Sequence, residues 1–295
     1  MIKVLDLGFL GLNGAIAAFL VETSVGPVLV ETGPHSVNGN LEKAVNNCGY
    51  QLSDIKHVFI THIHFDHAGG AWALAKTGAT IYLHPFGKRH LGEPTKLYAS
   101  AKRIYKDKME TLWGRMEAID DKKLVTVEHG ETITVGDTAF VSWHTPGHAV
   151  HHIAWQVGKD LFSGDVAGVK IGNGMVVPPC PPPDINIEDW LTSIQLIRGL
   201  DITGMYLTHF DKVTNISAHL DALETILWDW ANWIKPHFEN GTDQAEVVPQ
   251  FMAYTKKQLA DFGLSESAIA QYEAANPSWM SVAGLMRYWY KKGQK

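Results

Sequence analysis

The chain opens on short apolar runs. "AIAAFLVET" (15–23) and "GPVLVETG" (26–33) are bounded by Gly, Pro and Ser, which predicts a β-hairpin. The period then changes. In "NLEKAVNNCG" (40–49), Leu41, Ala44, Val45 and Cys48 share one helical face and Gly49 supplies the stop. "IKHVFITH" (55–62) predicts a buried strand, Gly69–Gly70 opens a helix over "AWALAKTG" (71–78), and "ATIYLHP" (79–85) reads as a further strand. Strand, helix and strand in succession make a layered α/β arrangement.

Residues 86–120 break this rhythm. They are polar and helix-prone with few β-branched residues, and are expected to be a helical insertion. Strands resume in "KLVTVEHGETITVGDTAFVSWHTPGH" (123–148), with "HGE" and "VGD" as turns, and "HHIAWQVGKDLFSGD" (151–165) predicts a hairpin through Gly158–Asp160. The proline density of "VVPPCPPPD" (176–184) excludes regular helix or sheet. "IEDWLTSIQLIRGL" (187–200) is an amphipathic helix with Asp184 or Asn186 as its cap. "GMYLTHF" (204–210) is the last expected strand, and from Ser217 onward the chain reads as helical and rich in aromatics.

Ligand-type side chains gather where these strands end. The run through Ile60 leads into "THIHFDH", with His62, His64, Asp66 and His67. "HTPGHAVHH" holds His144, His148, His151 and His152, "LFSGD" ends in Asp165, and "YLTHF" carries His209. Strand ends on one edge of a sheet converge in space, and that edge is where open α/β sheets build their sites. Imidazole and carboxylate suit zinc and similar divalent ions. Positions two apart on an extended segment point the same way, so His62 and His64 can grip one metal together. Asp66 and His67 lie where the chain turns into a helix and can aim at a second, and a carboxylate such as Asp165 has two oxygens with which to bridge. Isolated histidines such as His57, His84 and His129 read as structural or surface residues, and the ten tryptophans read as core.

The ordered set "THIHFDH", "TPGH", "SGD" and "LTHF" resembles the metallo-β-lactamase-fold hydrolase superfamily, over roughly residues 1–215. The resemblance implies an αββα sandwich: two mixed β-sheets face to face with helices outside, here with the helical insertion and a C-terminal helical extension over 216–295. It implies His62, His64 and His148 on a first metal, Asp66, His67 and His209 on a second, and Asp165 bridging. These residue types are those of the dinuclear, glyoxalase-II-like and lactonase-like branch. Asp165 stands where many true β-lactamases have cysteine, which argues against antibiotic resistance. One departure is Glu31-Thr32-Gly33, where the family often has Asp-Thr-Gly. That acid supports the site from behind the ligands, and the longer Glu must re-aim its hydrogen bond.

Composition narrows the picture. The 295 residues are 45% hydrophobic, enough for a substantial core in one large domain or two small ones. Net charge is −6 and no Lys/Arg cluster stands out, so no nucleic-acid partner is expected. Cys48 and Cys180 are the only cysteines, which makes a reducing compartment the default. No basic n-region precedes a long apolar run, and residues 9–21 are too short and too broken to span a bilayer, so the expectation is a cytoplasmic protein without a membrane partner.

The expected activity is dinuclear metal-dependent hydrolysis of an ester, lactone or thioester of small-molecule size. A metal-bridging hydroxide would attack and Asp66 would serve as the proton acceptor. The cofactors are two divalent ions per chain, zinc first, with iron or manganese as alternatives. The competing readings are a mononuclear iron oxidoreductase of the sulfur dioxygenase type and a phosphodiesterase. The aromatic C-terminal helices ("LWDWANWIKPHF", "WMSVAGLMRYWY") are read as a lid, as core or as a homodimer interface.

Overall fold

The computed structural model describes residues 1–294, so Lys295, the end of the expected extension, lies outside the described residues. In chain order the elements are β1 (Ile2–Asp6), β2 (Ala17–Thr23), β3 (Gly26–Val30), α1 (Asn38–Asn47), β4 (His57–Phe59), α2 (Phe65–Ala68), α3 (Ala71–Lys76) and β5 (Thr80–Leu83). The insertion follows as α4 (Pro85–Gly92), α5 (Thr95–Tyr105) and α6 (Met109–Trp113). Then come β6 (Leu124–Thr126), β7 (Thr132–Val135), β8 (Thr138–His144), β9 (Ile153–Val157), β10 (Asp160–Phe162), α7 (Ile187–Arg198), β11 (Gly204–Leu207) and β12 (Asp211–Val213). The chain closes with α8 (Ile216–Glu239), α9 (Gln244–Asp261), α10 (Glu266–Ala275) and α11 (Ser278–Gly293).

The strands form two six-stranded mixed sheets, ordered β1-β2-β3-β4-β5-β6 and β12-β11-β10-β9-β8-β7. In the first, β1 to β3 run antiparallel and β3 to β6 are parallel neighbours. In the second, β10 and β11 are parallel and the other pairs antiparallel. With helices on both outer faces this is the αββα sandwich.

Strand β2 shows why the apolar runs are continuous rather than alternating. Ala17, Phe19 and Val21 face the second sheet, and Phe59 of the first sheet with Phe140, Trp155 and Phe162 of the second complete the inner core. Ala18 and Leu20 face outward against Leu41, Val45, Leu74 and Leu91 of the covering helices. A strand buried on both faces has no polar side to show. The inner core is held by stacked rings, Phe59 lying 4.1 Å from Phe140 and 4.5 Å from Tyr82 between centroids.

The C-terminal helices share a third core with α7 and the second sheet, through Trp190, Ile194, Leu223, Trp230, Phe251 and Leu285. Trp230, Phe251 and Trp289 are buried, so most of this aromatic content packs as interior. Two strand expectations need correction. Ile2–Asp6 is a strand that the apolar pattern did not single out, and Asp211–Val213 follows "GMYLTHF" as a further strand. Both are edge strands, and β12 is largely exposed with Asp211 and Lys212, so little burial writes them into the sequence. The insertion is helical from Pro85 to Trp113, whereas residues 114–120 are irregular. Among the described residues, no helix is long and apolar enough to cross a membrane.

Candidate metal centre

Each functional side chain sits just past a strand end. His62 and His64 follow β4, and Asp66 and His67 lie on α2. Asp165 follows β10, in the turn after "LFSG", and His209 follows β11. His148 lies four residues beyond β8, on a loop held by a close approach: Gly147 has φ +131°, and a Cβ there would meet the Trp190 backbone at 2.3 Å. The loop is tied down by the Asn186 N–H, which donates to the Gly147 carbonyl at 2.9 Å. Gly164 does the same for Asp165. It holds φ +50°, and a Cβ would fall 2.6 Å from Thr61 Oγ1 and 2.7 Å from His152 Nε2.

The seven side chains expected from the sequence are brought together. The ligand atoms of His62, His64 and His148 lie within 4.8 Å of one another, as do those of Asp66, His67 and His209. Asp165 lies between the two groups. Its Oδ2 is 3.2 Å from His148 Nε2 and 4.0 Å from His62 Nε2, and its Oδ1 is 3.3 Å from His67 Nε2 and 3.4 Å from His209 Nε2. One carboxylate thus presents one oxygen to each group.

The opposite ring nitrogens are already engaged. His67 Nδ1 donates to Glu31 Oε1 at 3.0 Å, His148 Nδ1 to the Pro179 carbonyl at 2.8 Å, and His209 Nδ1 to the Ala15 carbonyl at 2.7 Å. His62 Nδ1 meets Thr61 Oγ1 at 3.0 Å, and that hydroxyl donates in turn to Glu31. With the proton held on Nδ1, each Nε2 carries a bare lone pair aimed at the centre. His64 offers Nδ1 instead, 2.9 Å from His62 Nε2 and 3.1 Å from His148 Nε2.

Two of these atoms test whether a cation fits. His67 Nε2 and Asp165 Oδ1 are buried without a hydrogen-bond partner, although they lie 3.3 Å apart. Their geometry makes no hydrogen bond between them, and a buried polar atom left without a partner is costly. The electrostatics point the same way. Burial pushes the His62 imidazole well below its usual range, and the neighbouring His67 and His64 push it further. His64 is brought down to about 3, burial first and His148 second. Burial alone would raise the carboxyls of Asp66 and Asp165. The surrounding imidazoles, His67 first in each case, outweigh it and hold Asp66 at about 2 and Asp165 well below the carboxylate range. Burial would lower His67 and His209 too, but there the carboxylates of Asp165 and Asp66 outweigh it and raise both imidazoles. Ionised carboxylates that draw positive charge onto buried rings would draw a divalent cation to the same place, with the proton released from the ring as the metal binds.

Residues left aside in the sequence fall into two sorts. His57, His84 and His129 make local hydrogen bonds to Tyr82 Oη, Phe86 N and His144 N, and His144 Nε2 reaches the Val127 carbonyl. His152, by contrast, is buried at the centre. Its Nε2 accepts from the Asp165 N–H at 3.1 Å and its Nδ1 meets Thr145 Oγ1 at 2.8 Å. His151 is also buried and lines the cavity above the centre, with Nδ1 unpartnered. Neither lies within a strand, since β9 begins at Ile153. Arg89, which lines the same cavity from α4, had no signal in the sequence, because only the packing of the insertion brings it there.

The family model for the metallo-beta-lactamase superfamily matches residues 12–209, and the chain belongs to that superfamily. It is similar to the metallo-beta-lactamase fold-containing protein ST1585 of Sulfurisphaera tokodaii, 33% identical over 141 residues, 44% of this chain and 51% of the relative. An N-acyl homoserine lactonase of Bacillus thuringiensis is 34% identical over 89 residues, 22% of this chain and 36% of the lactonase. The chain spans about half the length of the curated relatives it matches. Among solved structures, the metallo-beta-lactamase family protein TTHA1429 of Thermus thermophilus shares the fold with a TM-score of 0.68. It is 18% identical, and the match covers 99% of this chain and 94% of that one.

Proposed function

From membership in that superfamily, we propose that the chain is a hydrolase of carboxylic esters, lactones or thioesters that works with two divalent metal ions, zinc in the first place. His62, His64 and His148 would hold one ion, Asp66, His67 and His209 the other, and Asp165 would reach both. What carries the reading is the convergence of bare ring nitrogens and carboxylate oxygens on two adjoining points, with the far side of the rings already hydrogen-bonded. The lactonase named above lends it further support.

When bound, two such ions supply Lewis acidity and lower the pKa of a shared water from 15.7 to roughly 7. The chain's own residues do the rest. Glu31, Pro179 and Ala15 fix the orientation of three ligand rings. Asp66 is the one carboxylate of the centre partly open to the cavity, so it is placed to accept a proton as attack proceeds. The cavity walls are mainly apolar, with Ile63, Phe65, Leu97, Ile104 and Trp113, which suits an acyl or alkyl group better than a phosphate.

Metal analysis of protein purified without added metal, paired with a panel of aryl esters, γ- and δ-lactones, thioesters and bis-aryl phosphodiesters, tests the proposal. Near two metals per chain with the highest kcat/KM on an uncharged ester or lactone is the expected result. One iron per chain with oxygen uptake on a persulfide would move the protein to the sulfur dioxygenase class. A phosphodiester turned over fastest would overturn the apolar-pocket argument and direct attention to Arg89 and the lysines of the insertion.

A further inference from the structure

The cavity above the seven-residue cluster has two lobes. One, of about 400 Å³, extends past Phe86, Leu97 and Ser100 toward Pro182. The other, of about 440 Å³, extends past Phe9, Ile16, Leu112 and Trp279. Asp66, Ile104, Tyr105, Trp113 and Met280 line both. Two of these shared residues join the insertion to the C-terminal extension: the Tyr105 hydroxyl donates to Met280 Sδ at 3.6 Å. Of the cluster, His64, Asp66, Asp165 and His209 line the first lobe and Asp66 alone lines the second, so the centre opens into the first lobe and borders the second at Asp66.

Charge in each lobe is mixed rather than one-signed. Arg89 and His90 are accompanied by Asp184 in the first, and Lys106 and Lys108 by Asp107 and Glu273 in the second. Neither lobe is built to select an anion or a cation. Each on its own has the size at which a pocket encloses a small organic group.

We propose that the substrate is a neutral two-armed carboxylic ester, with an apolar group on the acyl side in one lobe, an apolar group on the alcohol side in the other, and the scissile carbonyl over Asp66. This rests on the hydrolytic reading above and narrows it. Hydrolysis breaks the acyl C–O bond. Water supplies the oxygen that joins the acyl carbon and the proton that goes to the departing alkoxide, releasing an acid and an alcohol. A lactone ties its alcohol oxygen back to its own acyl chain, so it lacks a free second arm and would leave one lobe unused.

The test uses the full metal-replete chain and four esters: methyl acetate, methyl hexanoate, hexyl acetate and hexyl hexanoate. Their matching ketones, which cannot be hydrolysed, serve as binding probes in calorimetry. Each methylene added to either arm is expected to raise kcat/KM and ketone affinity about fourfold until its lobe is full. The two arms are expected to contribute independently. Ser100→Trp, which fills the first lobe, should abolish the length dependence of one arm, and Leu112→Trp, in the second lobe, that of the other. Turnover without independent arms, or both variants suppressing the same arm, overturns the two-armed substrate while leaving a hydrolase. A two-armed ketone that binds tightly to a protein that cleaves no ester overturns the hydrolytic reading itself, and the ester with it.

Discussion

The Glu31 carboxylate meets the Nδ1–H of His67 at 3.0 Å, from a backbone position with φ +65° that non-glycine residues seldom take. The same carboxylate accepts from the Thr61 hydroxyl and, at 3.3 Å, from the Thr208 hydroxyl. Two segments that supply ligands, "THIHFDH" and "LTHF", are thereby tied to one buried acid. From that position the carboxylate lies under the centre, fully buried.

Glu31→Gln keeps the volume and removes the charge. His67 would lose its ionised acceptor, and metal affinity should fall on the order of 10–100-fold. Competition with a chromophoric chelator measures it, and an unchanged affinity would show that the acid only fills space.

His62→Ala and His148→Ala each remove a bare ring nitrogen from the first group of three. Elemental analysis should show about one metal lost per chain, and ester turnover should disappear. Full activity in either variant would sink the ligand assignment.

Asp66→Asn should weaken the second metal and lower kcat by roughly 10²–10⁴, the range that proton transfer alone contributes. Measuring metal content alongside rate separates the two effects. Full metal with a near-normal rate would leave Asp66 a structural residue.

His152 and His151 should behave differently. His152→Ala leaves the Asp165 N–H without its acceptor, so metal affinity should drop on the order of 10–100-fold. His151→Ala changes the cavity wall and should alter KM while metal content holds. Equal metal loss in both variants would contradict this division.

Gly164→Ala places a Cβ against Thr61 and His152 at a left-handed φ. The cost should be about 1–3 kcal/mol of stability, read as a lowered Tm in calorimetry. A Tm equal to that of the parent would mean that the turn relaxes without disturbing Asp165.

Much of this protein is determined locally. The runs at 15–21 ("AIAAFLV") and 58–60 ("VFI") are apolar throughout because helices cover one face of the strand and a second sheet the other, and that burial is written residue by residue. Side chains at strand ends converge for the same topological reason, which is why His62, His64, Asp66, His67, His148, Asp165 and His209 were legible from the segments that carry them. Tertiary packing alone decided the rest. β1 and β12 are edge strands with weak burial, so they leave little pattern. The role of His152 depends on the Asp165 backbone, thirteen residues away, turning back onto its ring. The cavity is bounded by residues from "GKRHLG", "SAKRIY" and "ANPSWM", held together by contacts such as Tyr105 with Met280, 175 positions apart. No periodicity or spacing encodes such a contact, because it forms only once separate helices have packed over the same edge of the sandwich.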